Sequence, residues 1–184
     1  AIYMSPLKWV IMFAPLLFVF GFSAGINRMS AGVAQVVFYA FAAVMGLSIS
    51  SIFLVFTSYS IVQVFLITAI AFAGLSLYGY TTKKDLSGWG TFLIMGVIGL
   101  IVASIVNIFL GSPAIMFAIS VLGVLIFAGL TAYDTQNIKN TYLQMAASGD
   151  QEWLGKAAIM GALSLYLNFI NMFMMLLSLF GNRE

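Results

Sequence analysis

Two residue types are missing from this chain and a third is scarce. There is no cysteine and no histidine, and charged side chains make up 7% of the 184 residues. Without cysteine there is neither a disulfide framework nor a thiol nucleophile. Without histidine the commonest metal ligand and the usual general base are gone. The shortage of charge says most. A soluble domain carries about 25% charged residues, so this chain lacks the polar surface to remain in water. Its net charge of +2 is too small and too dispersed to indicate nucleic acid as a partner.

What is present is apolar. Hydrophobic residues make up 63% of the chain, and the mean hydropathy is +1.12. The class is therefore an integral membrane protein, with the lipid bilayer as its first partner. Charges are costly at the bilayer centre, on the order of 2.5–3.5 kcal/mol each, so they punctuate the spans. Between Lys8 and Arg28 lie 19 uncharged residues, and between Lys156 and Arg183 lie 26; each run is long enough for one helix across roughly 30 Å. Between Arg28 and Lys83 lie 54, and between Asp85 and Asp134 lie 48. Each of these must fold back, the first at "TSYS" (57–60) and the second at Gly111-Ser112-Pro113. The expectation is an all-α, polytopic helix bundle in a single domain, 1–184, with spans near 7–26, 32–55, 60–80, 89–110, 113–133 and 156–180. Barrel strands are disfavoured because the runs are continuously apolar and do not alternate.

Arg28, Lys83, Lys84, Lys139 and Lys156 fall on one side of this arrangement, Lys8 and Arg183 on the other. The excess places the first group in the cytoplasm and both ends of the chain outside. The opening "AIYMSPLKWVIMF" has no initiator Met and lacks the basic region of a signal peptide. It reads as an internal starting point.

Small and polar residues collect on stripes. Gly161, Ser164, Asn168, Asn171 and Ser178 fall within an arc of roughly 100° of the last helix. Ser120, Gly123, Thr131 and Asp134 share an arc in the fifth, and Gly96, Gly99, Ala103 and Asn107 do so in the fourth. Such stripes let helix backbones approach, and buried amides bond across helices because lipid offers no partner. For Asn107 and Asn171 that helix-to-helix role is the favoured reading; for Asn168 a functional role competes with it. Asp134 is the only acidic residue within or bordering the apolar helices. It either ends a span at the interface or points into the bundle, where Arg28, on the same side, is the candidate partner for a latch. "FAGLSLYG" (72–79) echoes "FAGLTAYD" (127–134), either as an old duplication or by chance in a biased composition.

"FAGLTAYDTQNIK" (127–139) followed by "ALSLYLNFINMFMMLL" (162–177), with "GYTTKKDLSGWGTFL" (79–93) and "NIF" (107–109), resembles the transmembrane Bax inhibitor motif family. The similarity covers essentially the whole chain. It implies a seven-helix fold with the last helix central, so that six spans in this chain would leave the first helix missing. It also implies a pH-sensitive calcium leak channel of the bacterial inner membrane, with calcium and protons as its ions and no cofactor. Eukaryotic members lower susceptibility to cell death, and bacterial members are linked to control of membrane proteolysis. The functional core implied by the resemblance is a pair of aspartates sharing a proton, with an arginine latching the closed state. One aspartate matches Asp134 and the arginine matches Arg28. The other falls at position 168, where the family reads Leu-Asp-Phe-Ile-Asn and this chain has Asn168. Asparagine is nearly isosteric with a protonated aspartate and cannot lose a proton, so the coupled titration reduces to a single site.

Three readings follow. The first is a proton-gated cation pathway, with Asp134 as a weak oxygen site for calcium. The second is a non-conducting modulator of a membrane protease or of stress and cell-death pathways. The third, an enzyme, is disfavoured. Tyr133-Asp134 is half of an intramembrane aspartyl protease pattern, but the Gly-x-Gly-Asp half is absent, and no nucleophile–base set is evident.

Overall fold

The protein is described by a computed structural model over residues 18–183. Residues 18–25 are helical (α1) and lead through a 3-10 turn, Ile26–Arg28, into α2, Ala31–Ile49, which tightens into a second 3-10 turn, Ser50–Leu54. Helices α3 (Ser58–Thr81), α4 (Ser87–Leu110), α5 (Pro113–Met145) and α6 (Gln151–Phe180) follow. Among the described residues five helical segments are long and apolar enough to cross a membrane. Most of the expected first span, 7–17, lies outside the described residues, as does Lys8.

Local chemistry sets the boundaries. Gly111 adopts the left-handed conformation that ends α4, the Ser112 hydroxyl accepts from Ile115 N, and Pro113 occupies the first turn of α5. Thr57 caps α3 through Ser60 N, and Asp150 caps α6 through Trp153 N. At the start of α4, Asp85 accepts from Ser87 N at 2.9 Å. The Ser87 hydroxyl and amide beside it hold the Asp85 carboxyl below the usual carboxylate range.

Two expected ends were short. The fifth helix does not stop at 133 but continues to Met145, and the last begins at Gln151 and not at 156. A charged residue marks where apolar sequence ends, which bounds a span. It does not break a helix, and "DTQNIKNTYLQM" contains no breaker before Gly149.

Three clusters of buried side chains hold the bundle. One joins α4, α5 and α6 around Leu100, Phe127 and Met172; a second joins α1, α2 and α6 around Phe22, Phe41 and Leu163; a third joins α3 and α6 around Val64, Phe173 and Leu177. Among the described residues only α6 supplies side chains to all three, so it is central, as expected. It shares that place with α5, which packs against α3, α4 and α6.

The Cβ of an alanine at Gly79 would overlap the carbonyl of Ala132, so α3 and α5 cross with their backbones touching. The inward face of α4 runs Leu93, Leu100, Asn107, with Gly96 against Ile126. Gly99, expected on that face, looks outward with open space before it.

Candidate functional site

Asp134 and Asn168 meet. Asn168 Nδ2 donates to Asp134 Oδ2 at 2.7 Å, joining α5 to α6. The long run of α5 past residue 133 carries Asp134 on a continuous helix, and the small stripe above it lets α6 come close. Gly123 lies against Met175, Ser120 Oγ lies 3.3 Å from Ser178 Oγ, and Gly161 lies against Ile138. Thr131 and Thr135 turn their hydroxyls back onto carbonyls of their own helix, at Phe127 and Thr131, and leave the carboxylate to the amide. Asn168 is buried and Asp134 half-buried. Asparagine presents N–H donors to an acceptor carboxylate but supplies no second titrating proton.

A cavity of about 830 Å³ opens beside the pair, with Asp134 in its wall. The later turns of α5 and the early turns of α6 enclose it, with Asn27 and the end of α3 at Tyr80 completing the rim. Thr135, Asn137 and Ser164 add neutral oxygens, while Lys139 and Lys156 add positive charge. Among the described residues no group of three or more acidic side chains could hold a metal ion. The oxygen set available to a passing cation is one carboxylate with hydroxyls and amides.

The expected Arg28 latch is not formed. Arg28 ends an exposed turn, and Asp134 is turned toward α6, where the Asn168 amide takes its Oδ2. The two other amides are not bridges between helices either. Asn107 is buried, but its Oδ1 accepts from Ser112 N at 3.0 Å and so caps the α4–α5 turn. Asn171 Nδ2 donates back to Leu167 O on its own helix. Both satisfy backbone groups nearby in sequence.

One residue absent from the sequence expectations holds the site's surroundings. Gln136, 8% exposed, accepts from Leu86 N through Oε1 and donates to Lys84 O through Nε2, both at 2.8 Å. It clamps the α3–α4 loop to α5 two residues from Asp134. The signal for it was the helical register beyond 133, which places positions 134 and 136 on opposite faces of one helix. Ser76 Oγ, on α3, is the one buried side-chain oxygen or nitrogen among the described residues without a partner.

Comparison with known proteins identifies the family. The Bax1-I family, described as inhibitor of apoptosis-promoting Bax1, matches residues 1–184. A protein of Caulobacter vibrioides is 53% identical over 181 residues, 98% of this chain and 72% of its own length. Inner membrane protein YbhL of Escherichia coli K12 is 50% identical over 174 residues, 95% of this chain and 74% of its own. A membrane protein of Streptococcus pyogenes serotype M3 is 38% identical over 162 residues, 88% of this chain and 69% of its own. With a match over every residue, relatives at half identity and an all-helical bundle of apolar spans, the chain belongs to the Bax inhibitor family of multi-pass membrane proteins.

Proposed function

We propose that the protein is a passive, proton-responsive cation leak of a bacterial inner membrane, with calcium as its chief ion. The observation that carries this reading is the Asp134–Asn168 hydrogen bond of 2.7 Å beside an 830 Å³ cavity. A carboxylate in a membrane helix that faces a cavity, and not lipid, is the usual mark of an ion or proton path. One carboxylate with a few neutral oxygens binds calcium weakly, which suits a path the ion must also leave. The inner membrane comes from the name of the E. coli relative. The lysine-rich end is assigned to the cytoplasm by its basic residues. The activity is passage and not catalysis.

Protonation of Asp134 exchanges an acceptor carboxylate for a group that also donates, and so weakens its match to the Asn168 amide donor. Because Asn168 is fixed in one protonation state, the response to pH is that of a single site. The test is calcium flux into liposomes holding a calcium dye, measured from acidic to alkaline pH. Asp134→Asn is expected to abolish the pH dependence; a full pH response in that variant would overturn the assignment. Asn168→Asp sets two carboxylates in contact, which cannot both ionise cheaply. It is expected to broaden or shift the transition, and an unchanged curve would rule out a shared-proton site.

A further inference from the structure

Glu152 and Lys156 stand four residues apart on α6, the spacing at which an acid and a base pair across one helical turn. The structure does not make that pair. Glu152 Oε1 instead accepts from Ala31 N at 2.6 Å and caps α2, whose first amides lack acceptors of their own. The other described carboxylates are diverted in the same way. Asp85 takes Ser87 N, Asp150 takes Trp153 N, and Asp134 takes the Asn168 amide. Among the described residues, therefore, no carboxylate neutralises a lysine.

Two of the lysines stand in the cavity wall. Lys139 is held in place: its Nζ donates to Tyr80 O at 2.7 Å and lies 4.8 Å from the centre of the Tyr80 ring. Lys156 is half-buried and has no hydrogen-bond or ion-pair partner among the described residues. An ammonium held partly out of water without a counter-charge is costly. Trp153, Leu154, Met160 and Leu165 make much of the remaining wall apolar, and the volume falls in the range of small-molecule sites.

We propose that this cavity binds an anionic phospholipid, with the headgroup phosphate at Lys139 and Lys156 and an acyl chain along the apolar wall of α5 and α6. A free inorganic anion would satisfy the lysines but leave that wall uncovered; a neutral lipid would do the reverse. The single negative charge of the bound phosphodiester also offsets one of the two positive charges that a cation meets on its way to Asp134. Binding itself stands on charge and volume, and does not depend on ion passage.

The test uses the full chain in nanodiscs, with Trp9→Phe and Trp89→Phe so that Trp153 is the reporter. Its quenching by brominated phosphatidylglycerol is compared with that by brominated phosphatidylcholine. The expected result is saturable quenching with a preference for the anionic lipid of roughly fivefold or more, the scale of one lysine near an anionic surface. Lys139→Gln with Lys156→Gln is expected to abolish the preference, and Lys156→Arg to retain it. Ala157→Phe narrows the cavity, leaves both charges, and is expected to remove the saturable component. Each variant is first matched to the parent in thermal unfolding, and Lys156→Gln alone serves if the double variant does not fold. Equal quenching by the two lipids in the parent would overturn the proposal. So would a preference that survives Ala157→Phe, which puts the lipid on the outer surface. Displacement by millimolar inorganic phosphate would also overturn it, making this a free-anion site.

Discussion

At the residue scale, the amides divide by what they satisfy. Asn107 and Asn171 serve backbone within five residues of themselves, whereas Asn168 and Gln136 reach across the bundle. The cost of losing each kind differs accordingly. Replacing Gln136 by Leu leaves Leu86 N and Lys84 O without their partner, each worth about 1–3 kcal/mol if it stays buried. Gln136→Leu is expected to lower the unfolding temperature in detergent and to speed hydrogen exchange at the Leu86 amide. Gln136→Glu keeps the acceptor for Leu86 N and is expected to protect that amide better than Leu does. Unchanged exchange at Leu86 in Gln136→Leu would show that the clamp does not hold the loop. Asn168 and Asp134 were legible from sequence because the motifs that carry the family resemblance fall on both positions. Gln136 was not, because its importance depends on a loop fifty residues away.

At the scale of the elements, close helix contact depends on particular glycines. In lipid there is little hydrophobic gain from bringing two helices together, so shape and backbone approach decide the contact. Gly79 and Gly74 lie on the same helix, α3, yet only Gly79 meets another backbone, at Ala132; nothing lies within 4 Å of a Cβ placed at Gly74. Gly79→Ala must push α3 off α5, and overpacking of this kind costs about 1–3 kcal/mol. Gly74→Ala meets no obstacle and gains up to about 1 kcal/mol of helix propensity. Thermal unfolding of the two variants side by side checks this. Equal melting temperatures would mean that the α3–α5 crossing is not backbone-limited. The ends of α5 and α6 carry the matching lesson. Apolar runs locate spans, while capping groups such as Ser112 and Asp150 locate helices, and the two need not coincide.

On the scale of the whole molecule, the solvent is inverted. Large side chains face outward along most helices, with Ile98 56%, Ile108 77% and Phe109 85% exposed on α4 alone. The polar and titrating groups Asp134, Asn168 and Gln136 lie at least partly inside. Lipid accepts such a surface and water does not. A lysine at the exposed midpoint of α4, Ile98→Lys, is therefore expected to reduce membrane insertion, at a cost of about 2.5–3.5 kcal/mol. Ile98→Phe is expected to insert normally. Glycosylation-based insertion reporters would distinguish the two, and normal insertion of the lysine variant would show that this face is not in lipid. The ends of the bundle are fastened differently. At one, Glu152 caps α2 and Lys139 caps α3. At the other, Asn182 ties the end of α6 to Thr57 and Ser60.

The sequence by itself determined the class, the turns at "TSYS" and Gly111-Ser112-Pro113, and the pairing of positions 134 and 168. The class and the turns follow from local composition, which survives in one dimension; the pairing of 134 with 168 is implied by the family resemblance, and the structure joins the two in a hydrogen bond. Tertiary structure alone decided which partner each polar group takes. Asp134 bonds Asn168 and not Arg28, Glu152 bonds Ala31 and not Lys156, and Gln136 bonds a loop between two other helices. Hydrogen bonds act over about 3 Å, and only the packed bundle brings residues distant in sequence within that reach. The unneutralised lysines beside the cavity, and hence the anion site proposed for them, follow from those choices.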